Sequence, residues 1–133
     1  MLNVGDYYKH SFLFTQEDVI GFAKVTGDNN PVHLDTVYAS GTIFKKPIMH
    51  GMLGASIFSK VFGTLFPGNG TIYLSQSLHF IRPMYVNETY DAFFEVIEVD
   101  RDKHRARIAT KILSIDSKET MNGEALIMHV EKI

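Results

Sequence analysis

The feature that most constrains the fold is a long apolar stretch over residues 47–66, interrupted by small residues and by Lys60. It ends at Pro67-Gly68-Asn69-Gly70, a sequence that stops a helix. A helix that is apolar on nearly every side has to be buried, and this stretch is too short and too interrupted to indicate a membrane span. We therefore predict a central core helix that the rest of the chain covers.

The second half of the chain has the alternating pattern of β-strands. Within residues 72–80, Ile72, Leu74, Leu78 and Phe80 alternate with more polar neighbours, and further strands are predicted over 93–99, 106–115 and 121–130. A short strand over 7–14 precedes them. The pattern predicts an α+β fold in which a curved antiparallel sheet of about five strands wraps one long central helix.

Length and composition limit the classes of function. The 133 residues predict one domain, residues 1–133, and the formal net charge of −2 argues against a general nucleic-acid binder. The chain has no cysteine, which excludes disulfides, thiolate catalysis and cysteine–zinc sites. Because the N-terminus lacks a basic start followed by an apolar run, we expect no secretory signal and a cytoplasmic location.

A polar loop between two apolar segments carries the residue types suited to catalysis. Thr15 and Asp18 resemble a capping box that opens a helix, and this helix is predicted to end at Gly27. Pro31 disfavours helical angles in the residue before it, so Asp28 and His33 are predicted to face each other across a tight, non-helical bend. A carboxylate and an imidazole that share one water can add or remove water by general acid–base catalysis.

Other polar residues have simpler interpretations. An aspartate before a turn is commonly a local cap, and Asp35 is predicted to cap a segment over 36–40. The six histidines show no i, i+4 pair and no HExxH pattern, so we predict no metal site. His79 and His129 are expected on strand faces, outside any site.

Three blocks of sequence resemble one known family. They are Asp28-Asn29-Asn30-Pro31-Val32-His33-Leu34-Asp35, Pro47-Ile48-Met49-His50-Gly51-Met52-Leu53 and Tyr73-Leu74-Ser75-Gln76-Ser77-Leu78-His79-Phe80. In order and spacing they resemble the MaoC-like (R)-specific enoyl-CoA hydratases, in the short single-hotdog form used in polyhydroxyalkanoate and fatty-acid metabolism. The resemblance covers essentially the whole chain. It implies a hotdog fold, a homodimer or higher assembly whose sheets join edge to edge, and an acyl-thioester tunnel beside the interface.

The resemblance also implies roles for single residues. Asp28 and His33 match the residues that hold the water added across a trans-2-enoyl thioester, giving an (R)-3-hydroxyacyl thioester, and the same site runs the reverse dehydration. The backbone N–H of Gly51 matches the donor to the thioester oxygen, and Asn30 matches a residue that orients the carboxylate or the water. His50 matches a structural hydrogen bond that sets the oxyanion loop, so we do not count it as an acid or base.

The acyl pocket is implied less specifically. By resemblance, Ser59, Phe62 and Met128 fall near positions that bound it. A bulky Phe62 favours short acyl chains of about four to six carbons, although one methylene changes discrimination by only about 1–3 kcal/mol.

The carrier of the acyl group is left open by the sequence. Candidate contacts are Lys45, Lys46 and Arg82, whose charges suit the phosphates of coenzyme A or the acidic residues of an acyl carrier protein. Either thioester is the substrate, and no resident cofactor and no membrane partner is expected.

Alternative functions remain open at this point. One is an (R)-3-hydroxyacyl-acyl-carrier-protein dehydratase of fatty-acid synthesis. A thioesterase of the same fold usually places its carboxylate on the core helix, yet residues 47–66 contain no Asp or Glu. A non-catalytic acyl-thioester binding module is the third alternative, because a fold does not fix a function.

Overall fold

The computed structural model of the protein describes residues 1–133. The chain forms four helices and six strands, which follow one another as β1 Tyr7–Phe12, α1 Gln16–Thr26, α2 Pro31–Leu34, α3 Thr36–Ser40, α4 Gly51–Thr64, β2 Ile72–Gln76, β3 His79–Phe80, β4 Tyr90–Asp100, β5 Arg105–Ser114 and β6 Glu119–Met128. None of these helices combines the length and the apolar character needed to cross a membrane.

The strands form one antiparallel sheet in the order β1-β4-β5-β6-β2. The two-residue strand β3 pairs with β6 beside this main path. The predicted α+β arrangement is confirmed, and β3 is the one strand that the sequence analysis did not separate from its neighbour.

Helix α4 packs its apolar surface on the inner face of the sheet. The rings of Phe58 and Phe62 meet Phe94 of β4 edge to face, with centroids 5.7 and 5.3 Å apart, and Phe62 also packs on Tyr73 at 5.1 Å. The helix is shorter than the predicted 47–66: it begins at Gly51, and His50 is its N-cap with extended backbone angles. Pro47 favours extended backbone in the segment before α4, because proline disfavours helical angles in the residue before it and has no N–H to donate within a helix.

The prediction of one strand over 72–80 is wrong in two respects. In its first part the side chains that face the core are not the predicted ones, and the strand is interrupted. Ile72 and Leu74 are exposed, while Tyr73 faces the core. The register with β6 shifts between Tyr73 and Ser75, so Gln76 also points inward, where its amide donates to Thr110 at 2.9 Å. One extra residue at a bulge moves all following side chains to the other face, and alternation alone cannot reveal it.

The polar loop is built largely as predicted. The capping box of Thr15 and Asp18 is present, and Gly27 ends α1 with φ +80°. Asp35 caps α3 by accepting a hydrogen bond from the Tyr38 N–H at 3.0 Å. The bend itself is a correction: residues Pro31–Leu34 form a single helical turn, because proline suits the first position of a helix.

Gly123 allows the break between β2 and β3. A Cβ built at Gly123 would lie 1.8 Å from the carbonyl oxygen of Ser77, which is backbone and cannot rotate away. We expect Gly123→Ala to lower the free energy of unfolding by about 3 kcal/mol. Urea unfolding checks this, with Gly21→Ala as the control, because Gly21 lies inside α1 with open space around it and should gain about 0.5–1 kcal/mol. Equal stability of Gly123→Ala and the wild type would contradict the prediction.

Candidate active site

A cleft of about 400 Å³ lies between the polar loop, the start of α4 and the segment after β3. Its polar walls include Asp28, His33 and His50. The remaining lining side chains are mostly apolar and include Phe44, Ile48, Met49, Met52, Phe80, Ile81, Pro83, Met84 and Met121. A mostly apolar cleft with a few converging polar groups is typical of a small-molecule site.

The predicted pair comes together in this cleft. One carboxylate oxygen of Asp28 and one ring nitrogen each of His33 and His50 lie within 4.8 Å of one another. Asp28 is exposed, and its backbone N–H donates to the Thr26 hydroxyl at 3.1 Å, so the carboxylate projects from a fixed backbone. The carboxylate and the imidazole are therefore close enough to act on one small molecule in the cleft.

His33 is held in one orientation. Its Nδ1 lies 2.8 Å from the carbonyl oxygen of Ile48, which can only accept, so Nδ1 carries the proton. In the neutral ring Nε2 is therefore the free acceptor. Burial lowers the pKa of His33 and the neighbouring His50 lowers it further, while the Ile48 carbonyl and Asp28 act in the opposite direction.

The sequence reasoning assigned His50 a structural hydrogen bond at the oxyanion loop, and the structure also places this side chain in the wall of the cleft. Its Nε2 donates to the backbone carbonyl of Asp28 at 2.8 Å, and its ring lies 3.9 Å from that of His33, centroid to centroid. The Nδ1 atom is buried without a hydrogen-bond partner. Distances alone would let Asp28, His33 and His50 share a cation, but one nitrogen of His50 is engaged and the other is buried. The absence of a metal stays a prediction.

Gly51 is the first residue of α4, so its N–H belongs to the four that have no partner within a helix. The positive end of the helix dipole adds to its attraction for negative charge. A Cβ at Gly51 would lie 2.7 Å from the ring of Phe80, so a larger residue at this position would require that ring to move. Sequence reasoning missed Phe80 as a wall of the site, since only the split of the strand brings its ring to α4.

Of the other residues predicted to belong to the site, some line the cleft and others do not. Arg82 lines the cleft and its guanidinium donates to the Glu119 carbonyl at 2.7 Å. Lys45 and Lys46 do not line it, and the Lys46 ammonium instead pairs with Glu88 at 3.5 Å. Asn30 uses its side-chain oxygen to cap α2, accepting from Val32 at 3.2 Å.

The residues predicted to bound the acyl pocket lie elsewhere in this chain. Ser59 and Phe62 are two to three helical turns beyond Gly51, roughly 12–16 Å along the axis at about 1.5 Å per residue. Phe62 is buried against the sheet, and Met128 pairs with Ile72 at the far end of β2. None of the three lines the cleft, and their contact with an acyl chain stays a prediction.

Methionine supplies much of the apolar wall. Four of the lining residues are Met49, Met52, Met84 and Met121. Their side chains are flexible and polarisable, so they adapt to irregular apolar ligands. No spacing in the sequence identified them, because they come from three separate segments.

A carboxylate and an oriented imidazole at the end of an apolar cleft define an acid–base site for a substrate with an apolar part. The profile of the MaoC like domain family matches residues 5–118. The chain belongs to this family.

Individual relatives agree with the fold and extend over nearly the whole chain. The (R)-specific enoyl-CoA hydratase of Aeromonas caviae is 40% identical over 126 residues, covering 95% of this chain and 94% of that protein. The 3-hydroxybutyryl-CoA dehydratase of Methylorubrum extorquens is 39% identical over 85% of this chain and 71% of its own length. The solved structure of the (R)-hydratase from A. caviae involved in PHA biosynthesis superposes with a TM-score of 0.93, at 40% identity, over 96% of this chain and 97% of that one. The predicted hotdog fold is confirmed.

The lowered pKa of His33 gives a direct test. Burial penalises the imidazolium, so a higher proton concentration is needed to charge the ring, and its NMR titration midpoint should lie below about pH 6.5. The ring proton is assigned by its absence in His33→Gln. A midpoint at or above the ordinary value would contradict the buried placement.

Proposed function

We propose that this protein is a hydro-lyase that adds water to trans-2-enoyl-CoA to give (R)-3-hydroxyacyl-CoA, and catalyses the reverse dehydration. The observation that carries the proposal is the convergence of the Asp28 carboxylate and the His33 imidazole in an apolar cleft next to the N-terminus of α4. The names of the relatives support the same reaction and the (R) configuration.

The geometry suits one bound water. The Asp28 carboxylate and neutral His33 Nε2 are both acceptors, so the water donates a hydrogen bond to each and its lone pair is free to attack C3. As the O–C3 bond forms, one O–H bond breaks, and the proton removed is returned to C2 by the dyad. The thioester oxygen gains negative charge, which the Gly51 N–H stabilises.

The apolar wall accommodates the acyl chain, and the guanidinium of Arg82 is the cation that borders the cleft. Coenzyme A is the favoured carrier because both named relatives act on CoA thioesters. A preference for short chains stays a prediction, as does the assignment of the enzyme to cytoplasmic polyhydroxyalkanoate or fatty-acid metabolism. Helix α4 carries no Asp or Glu, which disfavours thioester hydrolysis.

We also propose that two copies pair through β2. This strand ends the sheet, so its outer N–H and C=O groups have no strand neighbour. Ile72 and Leu74 on β2 and Phe80 and Ile81 next to it are exposed apolar residues that pairing would cover. Sedimentation equilibrium should give twice the chain mass of 15.1 kDa, and the mass of a single chain at micromolar concentration would contradict the pairing.

Loss of the enoyl-thioester absorbance with crotonyl-CoA tests the reaction. We expect rapid loss with the wild type and a fall in kcat of about 10²-fold or more in Asp28→Asn and in His33→Ala, because each change removes an acid–base group. Asp35→Asn is the matched control, since asparagine keeps the cap of α3 and the activity should stay near that of the wild type.

The substrate series separates the alternatives. Six- and eight-carbon enoyl-CoA test the expected preference for short chains, and carrier-protein thioesters test the carrier. Release of free thiol would favour a thioesterase. Binding of these thioesters by the wild type without turnover of any would overturn the hydratase assignment.

A further inference from the structure

His50 is a polar side chain of the cleft that the proposed reaction does not use. It is only 2% exposed, and it is the N-cap residue of α4 although its side chain accepts no hydrogen bond from the first turn of the helix. Its Nδ1 has no partner, and a buried acceptor without a donor destabilises the folded state. A residue kept at such a cost calls for a physical explanation.

Two hydrogen bonds cross between the polar loop and the start of α4. His33, on the loop side, donates from Nδ1 to the Ile48 carbonyl before α4. His50, on the α4 side, donates from Nε2 to the Asp28 carbonyl in the loop. Each catalytic residue is thus bound to the segment that carries Gly51, once through its side chain and once through its backbone.

The ring of His50 also limits where His33 can lie. The two imidazoles are nearly stacked, with planes 31° apart, and the Phe22 ring of α1 packs 4.8 Å from His50. A tilt of His33 toward the protein interior would collide with this pair of rings. His33 is therefore fixed by a hydrogen bond at Nδ1 and by contact on one face.

We propose that His50 is a positioning residue, which sets the separation of Asp28 and His33 at the distance that one water can bridge. The proposal rests on the hydratase function proposed above. Neither nitrogen of His50 is free to act as an acid or base on the substrate, since Nε2 is engaged with the loop and Nδ1 is buried. Its effect is on the geometry of the dyad, where a misplacement of about 1 Å can cost about 10²-fold in rate.

The surroundings suit a hydrogen bond from an uncharged ring. Asp28 and His33 are the titratable groups against His50, Arg82 lines the same cleft, and Phe22 is the uncharged neighbour from α1. A second proton, on Nδ1, would have no acceptor. A neutral amide that reaches the Asp28 carbonyl can therefore replace the donor.

Two amide variants differ only in reach. The side-chain nitrogen of glutamine lies near the position of Nε2, whereas that of asparagine lies near Nδ1 and falls short of the Asp28 carbonyl. We expect His50→Asn to lower kcat for crotonyl-CoA by about 10²-fold with KM within about twofold of the wild type. His50→Gln should recover at least about tenfold of that loss. His10→Gln, a change of the same kind beside Lys60, is the control and should leave kcat unchanged.

The outcomes are distinct. A loss of kcat in His50→Asn that glutamine rescues supports the positioning role, because a merely structural residue would lower the melting temperature of both variants and leave kcat per folded enzyme unchanged. Wild-type kcat in His50→Asn, or equal kcat in the two variants, overturns it. If His50→Asn does not fold, His50→Ala takes its place: a loss of kcat in His50→Ala that His50→Gln recovers by at least about tenfold supports the role, and equal kcat in the two variants overturns it. Absence of hydration by the wild type would overturn the proposed function instead.

Discussion

The packing of α4 against the inner face of the sheet is the constraint on which the other features depend. The rings of Phe58 and Phe62 on α4 pack edge to face against the ring of Phe94. These three side chains are at most 1% exposed. A close-packed interior resists displacement, so the axis of α4 and its first residue are fixed relative to the strands. The Gly51 N–H and the His50 cap thereby become rigid reference points for a loop that has little packing of its own.

The crossed hydrogen bonds of His33 and His50 transmit this rigidity to the loop. Each bond alone contributes only about 1 kcal/mol to stability. Together they fix the backbone of Asp28 and the ring of His33 with respect to the same short segment, Ile48 to Gly51. The carboxylate stays exposed to the cleft while its backbone is held, which is the combination that a general base needs. The methionine side chains that line the rest of the cleft are flexible, whereas the Asp28 and His33 pair is held in place.

Local features of the chain were predictable because they depend on neighbours in sequence. The capping box at Thr15 and the Asp35 cap follow from side chains that hydrogen-bond to backbone three residues away, and the end of α1 at Gly27 follows from the ease with which glycine adopts a positive φ. The helix turn at Pro31 was missed, although proline at a first helical position was visible. The split between β2 and β3 was missed for a different reason: it requires Gly123 to lie under Ser77, some 46 residues away along the chain.

The sequence by itself determined the core helix, the strand-rich second half and the five-residue interval between Asp28 and His33, because apolar periodicity and short-range hydrogen bonding act locally. Only the tertiary structure decided that His50 stacks on His33, that Phe80 covers Gly51 and that four methionines from separate segments meet in one cleft. These contacts depend on strand register and on where α4 begins. A one-residue change in either redirects every following side chain, and no local pattern encodes it.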